Sequence, residues 1–337
     1  MITPETIVDA GTQIGTLVAL APFLKEATPL ATKIIDTVSK GIGTVYSPVN
    51  TYLNGKAQVA GLKDINKLLE NASGDITIKK GDLEVSVSNN NIIDAALMTT
   101  INKSIKEQIN IDEIVAKSVG IIETKINHDY EKISTEEVSE DWALRFFDIS
   151  KNIRDEEMKN LWSAILADEI LTPGSYSLRA LEILKNMNRQ DAELFTKISK
   201  LALSPINGII FMIGDKELLN YYNVSEIDKI NLSELNLLTN GLTYNILENE
   251  TEYIMVGSKH CIILKNVTSE RIGLPMIKLT NVGSEIYKLV ENEIDEKVLS
   301  DICKSIRKIS DKLEIYYTKA ELLPDKTIRY SKDLRKM

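Results

Sequence analysis

An apolar stripe marks residues 141–174, which hold both tryptophans and two of the five phenylalanines of the chain. Asn152 with Asp155 is predicted to cap the start of a helix here, and Pro173-Gly174 to end it. Because aromatic side chains bury large apolar areas, we expect this helix to form the centre of a core and its tryptophan to be structural. The residues at the spacing of one helix face are Met158, Leu161, Trp162, Ile165, Leu166 and Ile170.

Helical periodicity continues on both sides of this stripe. One amphipathic segment before it and two after it predict that residues 139–203 form a compact bundle of four short helices. Upstream, apolar residues recur at helical spacing from Asn91 to Ile122. A polar, acidic connection between Asn127 and Glu140 is the best candidate for a domain boundary.

The first 70 residues differ, because glycines recur there among small and apolar residues. One apolar helix face is predicted around Leu17 and Val18, and a second, beyond Pro29, around Ile34 and Ile35. Two interpretations are open: helices that pack on the main body, and an element for oligomerisation or membrane contact. We predict that residues 1–60 mediate assembly or membrane contact and are not needed to fold the rest.

Strand patterns occur in two parts of the chain. Residues 75–88 alternate on both sides of Lys80-Gly81-Asp82, which predicts a β-hairpin. After Pro205 a buried strand, short helices and further strands are expected, with a helix beginning at Ser225. The predicted strands are 208–213, 242–247, 252–256, 260–265 and 313–330.

These patterns predict an α+β protein that is mainly helical, with an N-terminal and central helical bundle followed by a C-terminal α+β domain. The order helix, helix, strands between residues 225 and 265 also fits a winged-helix-like domain. The chain is divided into a glycine-rich helical segment, a hairpin with connecting helices, a central core bundle and an α+β domain: 1–70, 71–130, 131–204 and 205–337.

The composition of the chain is informative mainly through the classes of protein that it disfavours. The 337 residues, 43% hydrophobic and 26% charged, suit a globular protein with room for two cores. A net charge of −9 disfavours a general nucleic-acid binder, which needs a basic face. The exception is residues 301–337, where ten Lys or Arg outnumber six Asp or Glu. The apolar run from Ile14 to Leu24 is too short to span a bilayer, and we expect a cytoplasmic protein.

Candidate chemistry is sparse. His128 and His260 lie far apart, and the pair His260-Cys261 is expected to point to opposite faces of a strand. Cys261 and Cys303 cannot form a disulfide framework and are predicted to be ordinary buried residues. The sequence contains no glycine-rich phosphate loop, nucleophile elbow or zinc-protease motif. We therefore predict no catalytic, cofactor-binding or metal-binding cluster.

Carboxylates are nevertheless concentrated in the central bundle. Asp168 and Glu169 are expected in the last turn of a helix, where they oppose its dipole. An arginine partner such as Arg179 and a cation site are both open as explanations. The carboxylates of this region are Asp141, Asp148, Asp155, Glu156, Glu157, Asp168 and Glu169.

The block DWALRFFDI…DEEMKNLWSAILADEI…PGSYSLRALEIL…AELF resembles the hallmark of an uncharacterised bacterial family, domain-of-unknown-function family 2806. The similarity runs from about residue 90 to Leu279-Thr280…Gly283, and Arg154 stands where such proteins often carry a serine cap. The resemblance implies no activity and no catalytic residue. It rests on Trp142, Phe146, Phe147, Leu161, Trp162, Leu166, Ala167, Pro173, Gly174, Ser175, Arg179 and Leu181.

The opening of the chain resembles, more faintly, the alpha-type abortive-infection proteins of bacteria, which implies a role in phage defence. The sequence thus favours an interaction protein that acts as a defence effector or sensor through self-assembly, a protein partner or peripheral membrane contact by residues 1–60. The alternative is a winged-helix-like regulator that binds nucleic acid, which the charge disfavours.

Overall fold

The computed structural model describes residues 29–43, 74–79, 82–87, 92–127, 129, 133–205, 209–248, 251–257, 259–290, 294, 296–322, 328–331 and 333–336. Within these ranges the protein is a mixed α/β chain of helices and antiparallel sheets, as predicted. It divides into two compact units, Met1–Leu181 and Glu182–Met337. A winged-helix-like domain is not confirmed, and the finer division into four parts stays a prediction.

The first unit is built mainly of helices. Its hairpin pairs β1 with β2 antiparallel, with Lys79 opposite Asp82, which confirms the hairpin predicted around Lys80-Gly81-Asp82. Its elements are α1 (Pro29–Ile42), β1 (Gly74–Lys79), β2 (Asp82–Val87), α2 (Ile92–Ile126), α3 (Glu140–Ser150) and α4 (Glu156–Leu171), followed by α5 (Leu178–Asn186), which continues into the second unit.

Helix α4 is the predicted central helix, and its caps explain its bounds. The side chain of Asp155 accepts the backbone N–H of Met158 at 2.9 Å and caps the start. Asn152 is not the cap, because its amide donates to the carbonyl oxygen of Asp148 at 3.2 Å instead. After the last turn, Gly174 has a φ of +82°, a conformation that glycine adopts without steric cost.

The core of this unit is aromatic. Trp162 is 0% exposed, and its ring centroid lies 5.3 Å from that of Phe146. Phe146 in turn stacks on Trp142, whose indole N–H donates to the carbonyl oxygen of Tyr176 at 2.8 Å. The structural role predicted for Trp162 agrees with this complete burial.

Helix α1 covers part of the same core. Leu30, Ile34 and Val38 are buried, and α1 packs against α3. A Cβ on Gly41 would lie 2.0 Å from the Phe147 ring, so the two helices are in close contact. The apolar face beyond Pro29 is therefore covered by the chain's own body, and we expect α1 to be needed for folding. The face around Leu17 and Val18 lies outside the described residues, as does most of the segment 1–60.

The second unit combines helices with two antiparallel sheets. Its elements are α6 (Arg189–Ser199), β3 (Ser204–Pro205), β4 (Phe211–Ile213), α7 (Lys216–Tyr221), α8 (Glu226–Glu234), β5 (Thr243–Leu247), β6 (Glu252–Gly257), β7 (His260–Asn266), β8 (Ile272–Lys278), α9 (Asn281–Tyr287), α10 (Glu296–Ile309), β9 (Leu313–Leu322), β10 (Ile328–Tyr330) and β11 (Arg335–Lys336). The smaller sheet has the strand order β4-β8-β5. The larger has the order β10-β9-β7-β6-β3, with β11 also paired to β9.

Strand β8 was not predicted from the sequence pattern. It contains Pro275, although it lies between β4 and β5, and a proline argues against a central strand. The carbonyl oxygen of Pro275 accepts the N–H of Gly214 at 2.9 Å, just beyond the end of β4. The nitrogen of Pro275, which carries no hydrogen, thus lies on the side of β4, just beyond the end of that strand. Few backbone hydrogen bonds between β8 and β4 are lost there.

Candidate interaction surface

The carboxylates at the end of α4 stabilise the turn that follows it. Glu169 is buried and accepts the backbone N–H groups of Gly174 at 2.7 Å and Tyr176 at 3.1 Å. Asp168 accepts the hydroxyl of Tyr176 at 3.0 Å and pairs with Lys125. These bonds, together with the Lys125 ion pair, explain why two acidic residues are tolerated at a helix C-terminus, without a bound metal ion and without invoking Arg179.

The other carboxylates serve separate local contacts. Asp155 caps α4, Asp148 pairs with Lys151 at 2.7 Å, and Glu156 pairs with Lys117. Asp141 lies in the first turn of α3, where its negative charge interacts favourably with the helix dipole. His128 lies outside the described residues. Across the described parts of the chain, no group of three or more His, Cys, Asp or Glu side chains is arranged to hold a metal ion.

Two lysines, the buried Lys159 and the half-buried Lys33, connect separate segments of the first unit. Lys159 on α4 is 8% exposed and pairs with Glu113 on α2. Lys33 on α1 donates to the carbonyl oxygen of Ser134 at 2.7 Å. Burial lowers the pKa of Lys33, against the opposing effect of nearby carboxylates. We interpret these contacts as structural, because both lysines have partners within the unit.

His260 and Cys261 are adjacent on β7, and their side chains lie in different surroundings. Cys261 is packed in an apolar cluster with Val256 and Ile263, and burial raises the pKa of its thiol to about 11. The Nε2 atom of His260 lies 3.8 Å from a carboxylate oxygen of Glu296 on α10. Neither arrangement has the short contacts that join a nucleophile to a base.

The most unusual exposed surface is formed by β5 together with Leu242, which immediately precedes the strand. Leu242 is 51% exposed, Tyr244 62% and Ile246 50%. Successive side chains of a strand alternate between faces, so these three residues lie on one face, and we call them the β5 surface. Strand β5 ends the order β4-β8-β5, so its outer edge is unpaired as far as the described strands show.

The residues of β8 that lie beside the β5 surface have short side chains or none. Opposite Tyr244 and Ile246 on β8 lie Pro275 and Gly273. A Cβ on Gly273 would lie 3.4 Å from the Tyr244 ring, in ordinary van der Waals contact. The apolar side chains therefore rise above β8 with no bulky neighbour on that strand to cover them.

A second exposed apolar pair lies on α8. Ile227 is 68% exposed and Ile230 is 53% exposed, one helical turn apart, and we call them the α8 surface. The helix begins with a capping box in which Ser225 and Asp228 bond each other's backbone N–H, as their spacing predicted. Its charge is mainly acidic, since Glu226, Asp228 and Glu234 outnumber Lys229.

A groove lies between the start of β8 and the end of α10, with a volume of about 560 Å³. Three of its basic side chains are paired with acidic ones: Arg271 with Glu248 at 2.8 Å, Lys308 with Glu217 at 2.7 Å, and Lys312 with Glu270. The groove is therefore much less positive than its basic residues suggest. Its lining residues are Glu270, Arg271, Ile272, Gly273, Arg307, Lys308, Ile309, Ser310, Asp311 and Lys312.

Comparison with known proteins places this arrangement in a family. The model of a family described as protein of unknown function (DUF2806) matches residues 98–303, well over half of the chain. The chain belongs to the DUF2806 family. This confirms the resemblance found in the sequence of the central block. No curated protein and no solved structure matches the chain. The fainter resemblance to abortive-infection proteins is not confirmed.

The DUF2806 match begins within α2 and ends within α10, so it includes both α4 and the β5 surface. Sequence reasoning predicted the strand at 242–247 but not its importance, because alternation does not reveal which strand lies at an edge. Among the helices that the structure describes, none combines the length and apolar character needed to cross a membrane.

Proposed function

We propose that this protein acts by binding another protein chain through the β5 surface and the α8 surface. The observation that carries the proposal is that three large apolar side chains stand exposed on an uncharged strand at the edge of its sheet. Natural proteins protect edge strands with charges, prolines or a covering element, because bare edges pair with other chains. A bound partner explains the uncovered face.

The order of elements supports a winged-helix-like module as the scaffold of these surfaces. Elements α6, β4, α7, α8, β5 and β8 follow as helix, strand, helix, helix, strand and strand, and β8 lies between the other two strands. A winged-helix module has this order and the same central position for its last strand. The β6–β7 hairpin, enlarged by β3 and β9, stands in the place of the wing.

The charge of the module favours protein over nucleic acid. In helix-turn-helix proteins the second helix enters the DNA groove and needs basic residues there. Helix α8 corresponds to that helix, and its lysine, Lys229, pairs with Glu226 at 2.7 Å. What it exposes instead are Ile227 and Ile230, which suit an apolar partner surface.

Site-specific photo-crosslinking in cells tests the proposal. A photoreactive amino acid at position 246 or 227 is expected to give a discrete protein adduct, while one at Arg189, whose side chain is 87% exposed, gives none. The additional substitution Leu242→Asp should remove the adduct at position 246 and leave the melting temperature unchanged. Equal adducts from all three positions, or none from either surface, would contradict the proposal.

Nucleic-acid binding is the second candidate, and the groove at Arg271 and Lys308 is the observation in its favour. Fluorescence anisotropy with a DNA duplex at about 50 mM salt distinguishes the two. We expect no binding at about 10 μM protein, where a basic binder is saturated. Binding that weakens with salt and is lost in Arg271→Ala and Lys308→Ala would favour the second candidate.

We place this interaction in defence against phage, as effector or sensor, with the resemblance of the chain's opening as the support. Phage plating on cells with the wild-type protein and with Leu242→Asp tests it: protection is expected with the first and lost with the second. Peripheral membrane contact through residues 1–60, apart from the buried face of α1, belongs to the same proposal, and flotation of the full chain with anionic vesicles tests it. Equal plating on cells with and without the protein would contradict the defence role.

A further inference from the structure

We infer that the partner of the β5 surface is the β5 strand of a second copy of this chain, paired antiparallel across a two-fold axis at Tyr244. This inference rests on the proposed function, because it names the occupant of a surface proposed there. Three features of the strand support it: the direction of its backbone groups, its register with itself and its lack of charge.

The backbone of β5 is oriented for such pairing. Pro275 of β8 lies opposite Tyr244, and its carbonyl oxygen accepts the N–H of Gly214 on the β4 side. In an antiparallel sheet, two directly opposed residues either both direct their N–H and C=O groups toward each other's strand or both direct them away from it. Because Pro275 directs its carbonyl oxygen away from β5, the pair of Pro275 and Tyr244 is of the second kind. The N–H and C=O of Tyr244 therefore point away from β8, toward the outer edge, and alternation gives Ile246 the same direction.

The sequence of β5 matches itself in the antiparallel direction. With the axis at Tyr244, this residue meets Tyr244 of the second copy, and Leu242 meets Ile246. On the other face, Thr243 meets Asn245, so polar residues face polar residues. Cross-strand pairs of aromatic and aliphatic residues stabilise a sheet, and a two-fold interface requires this reciprocal matching.

No charge opposes the pairing. Residues 242–247 contain no charged side chain, and in this register Glu248 meets Asn240 of the second copy. A shift of the axis by one residue, to Asn245, would set Leu242 against Glu248. The apolar match thus selects one register, in which two three-stranded sheets join into one of six strands.

The net charge of −9 gives the association a distinctive salt dependence. Two copies repel each other at long range, and salt screens this repulsion while leaving apolar contacts in place. Dimerisation should therefore become tighter as salt rises. Association through charged pairs would weaken under the same change.

Sedimentation of the full chain across about a 100-fold range of concentration tests the inference. We expect a dimer for the wild type and for Leu144→Lys, the matched control at an apolar position on α3 that is 43% exposed. Tyr244→Lys should be monomeric throughout, since it places two ammonium groups side by side at the axis. A wild type that stays monomeric at every concentration, or a Tyr244→Lys variant that dimerises like the wild type, overturns the inference.

Disulfide crosslinking provides a test that does not depend on how Tyr244→Lys folds. Opposed residues in a hydrogen-bonded antiparallel pair have Cα atoms about 5.5 Å apart, within the range of a disulfide. Tyr244→Cys should form a covalent dimer under mild oxidation, and Leu144→Cys, at an exposed position on α3, should not. The native cysteines, Cys261 and Cys303, are both buried and do not compete.

The outcomes separate this inference from the proposed function. A photo-crosslink from position 246 to a different protein, with no Tyr244→Cys dimer, overturns the second copy and leaves the proposed function standing. Loss of every adduct from both surfaces overturns both. A Tyr244→Cys dimer together with a wild-type dimer that salt strengthens supports the pairing.

Discussion

The buried carboxylate of Glu169 accepts the backbone N–H of Gly174 at 2.7 Å, and this bond shapes the turn after α4. Its second oxygen accepts the N–H of Tyr176, whose carbonyl oxygen in turn binds the Trp142 indole. One acidic side chain thus links the end of the central helix to the aromatic core.

Glu169→Ala is expected to destabilise the protein by about 1–3 kcal/mol, because it leaves the buried N–H of Tyr176 and the N–H of Gly174 without this acceptor. Glu169→Gln should cost less, since its amide oxygen retains one acceptor. Urea unfolding followed by tryptophan fluorescence measures both. Glu157, which is exposed in the first turn of the same helix, supplies the control, and a Glu169→Ala change as small as that of Glu157→Ala would refute the role.

Trp142 and Trp162 form a matched pair for isolating one hydrogen bond. The indole N–H of Trp142 donates to Tyr176 at 2.8 Å, whereas that of Trp162 has no hydrogen-bond partner among the described residues. Trp142→Phe should therefore cost about 1 kcal/mol more than Trp162→Phe. Equal losses in the free energy of unfolding would show that the bond contributes nothing.

Trp162→Ala removes far more, since a buried Trp truncated to Ala typically costs about 3–5 kcal/mol. The expected result is a large fall in melting temperature and in yield of folded protein. Leu144→Ala on α3 serves as control, because Leu144 is 43% exposed. An unchanged melting temperature with altered crosslinking would instead make Trp162 a recognition residue.

Two glycines should respond oppositely to alanine. Gly41→Ala is expected to cost about 1–3 kcal/mol, because its Cβ would lie 2.0 Å from the Phe147 ring at the contact of α1 with α3. Gly120→Ala, in α2, has open space and should stabilise by about 0.5–1 kcal/mol. Thermal unfolding of both variants checks the signs, and a neutral Gly41→Ala would contradict the described packing.

The buried thiols should be unreactive in the folded protein. Burial raises the pKa of Cys261 to about 11 and that of Cys303 to about 12, so at pH 8 about one Cys261 thiol in a thousand is ionised, and an even smaller fraction of the Cys303 thiol. Ellman's reagent should label both only after unfolding in guanidinium chloride. Fast labelling of the native protein would show that one thiol is accessible.

The same pKa shifts predict a loss of stability at high pH. Because the folded pKa of Cys261 exceeds the ordinary value of 9.0, the folded state holds its proton more tightly than the unfolded state. Its contribution is complete below pH 9.0 and is lost as pH rises toward about 11. Cys261→Ala should flatten that part of the stability curve, measured by urea unfolding.

The sequence by itself determined the local structure. The stripe around Trp162, the cap at Ser225 and the hairpin of β1 and β2 all depend on residues close to one another in the sequence. The side chain of Ser225 and the N–H of Asp228 meet in any chain that turns into a helix there, so spacing is sufficient to predict the contact.

Only the tertiary structure decided which surfaces are covered. Ile34 is buried because α1 packs against α3, which follows more than a hundred residues later in the chain. The carboxylate of Glu169 accepts backbone N–H groups of a turn whose shape the sequence pattern does not predict. Pro275 lies in a central strand because Gly214 ends the neighbouring one. The edge position of Tyr244 follows from strand order, which depends on pairing between distant segments. Long-range pairing has no period in the sequence, so the candidate interaction surface became visible only in the fold.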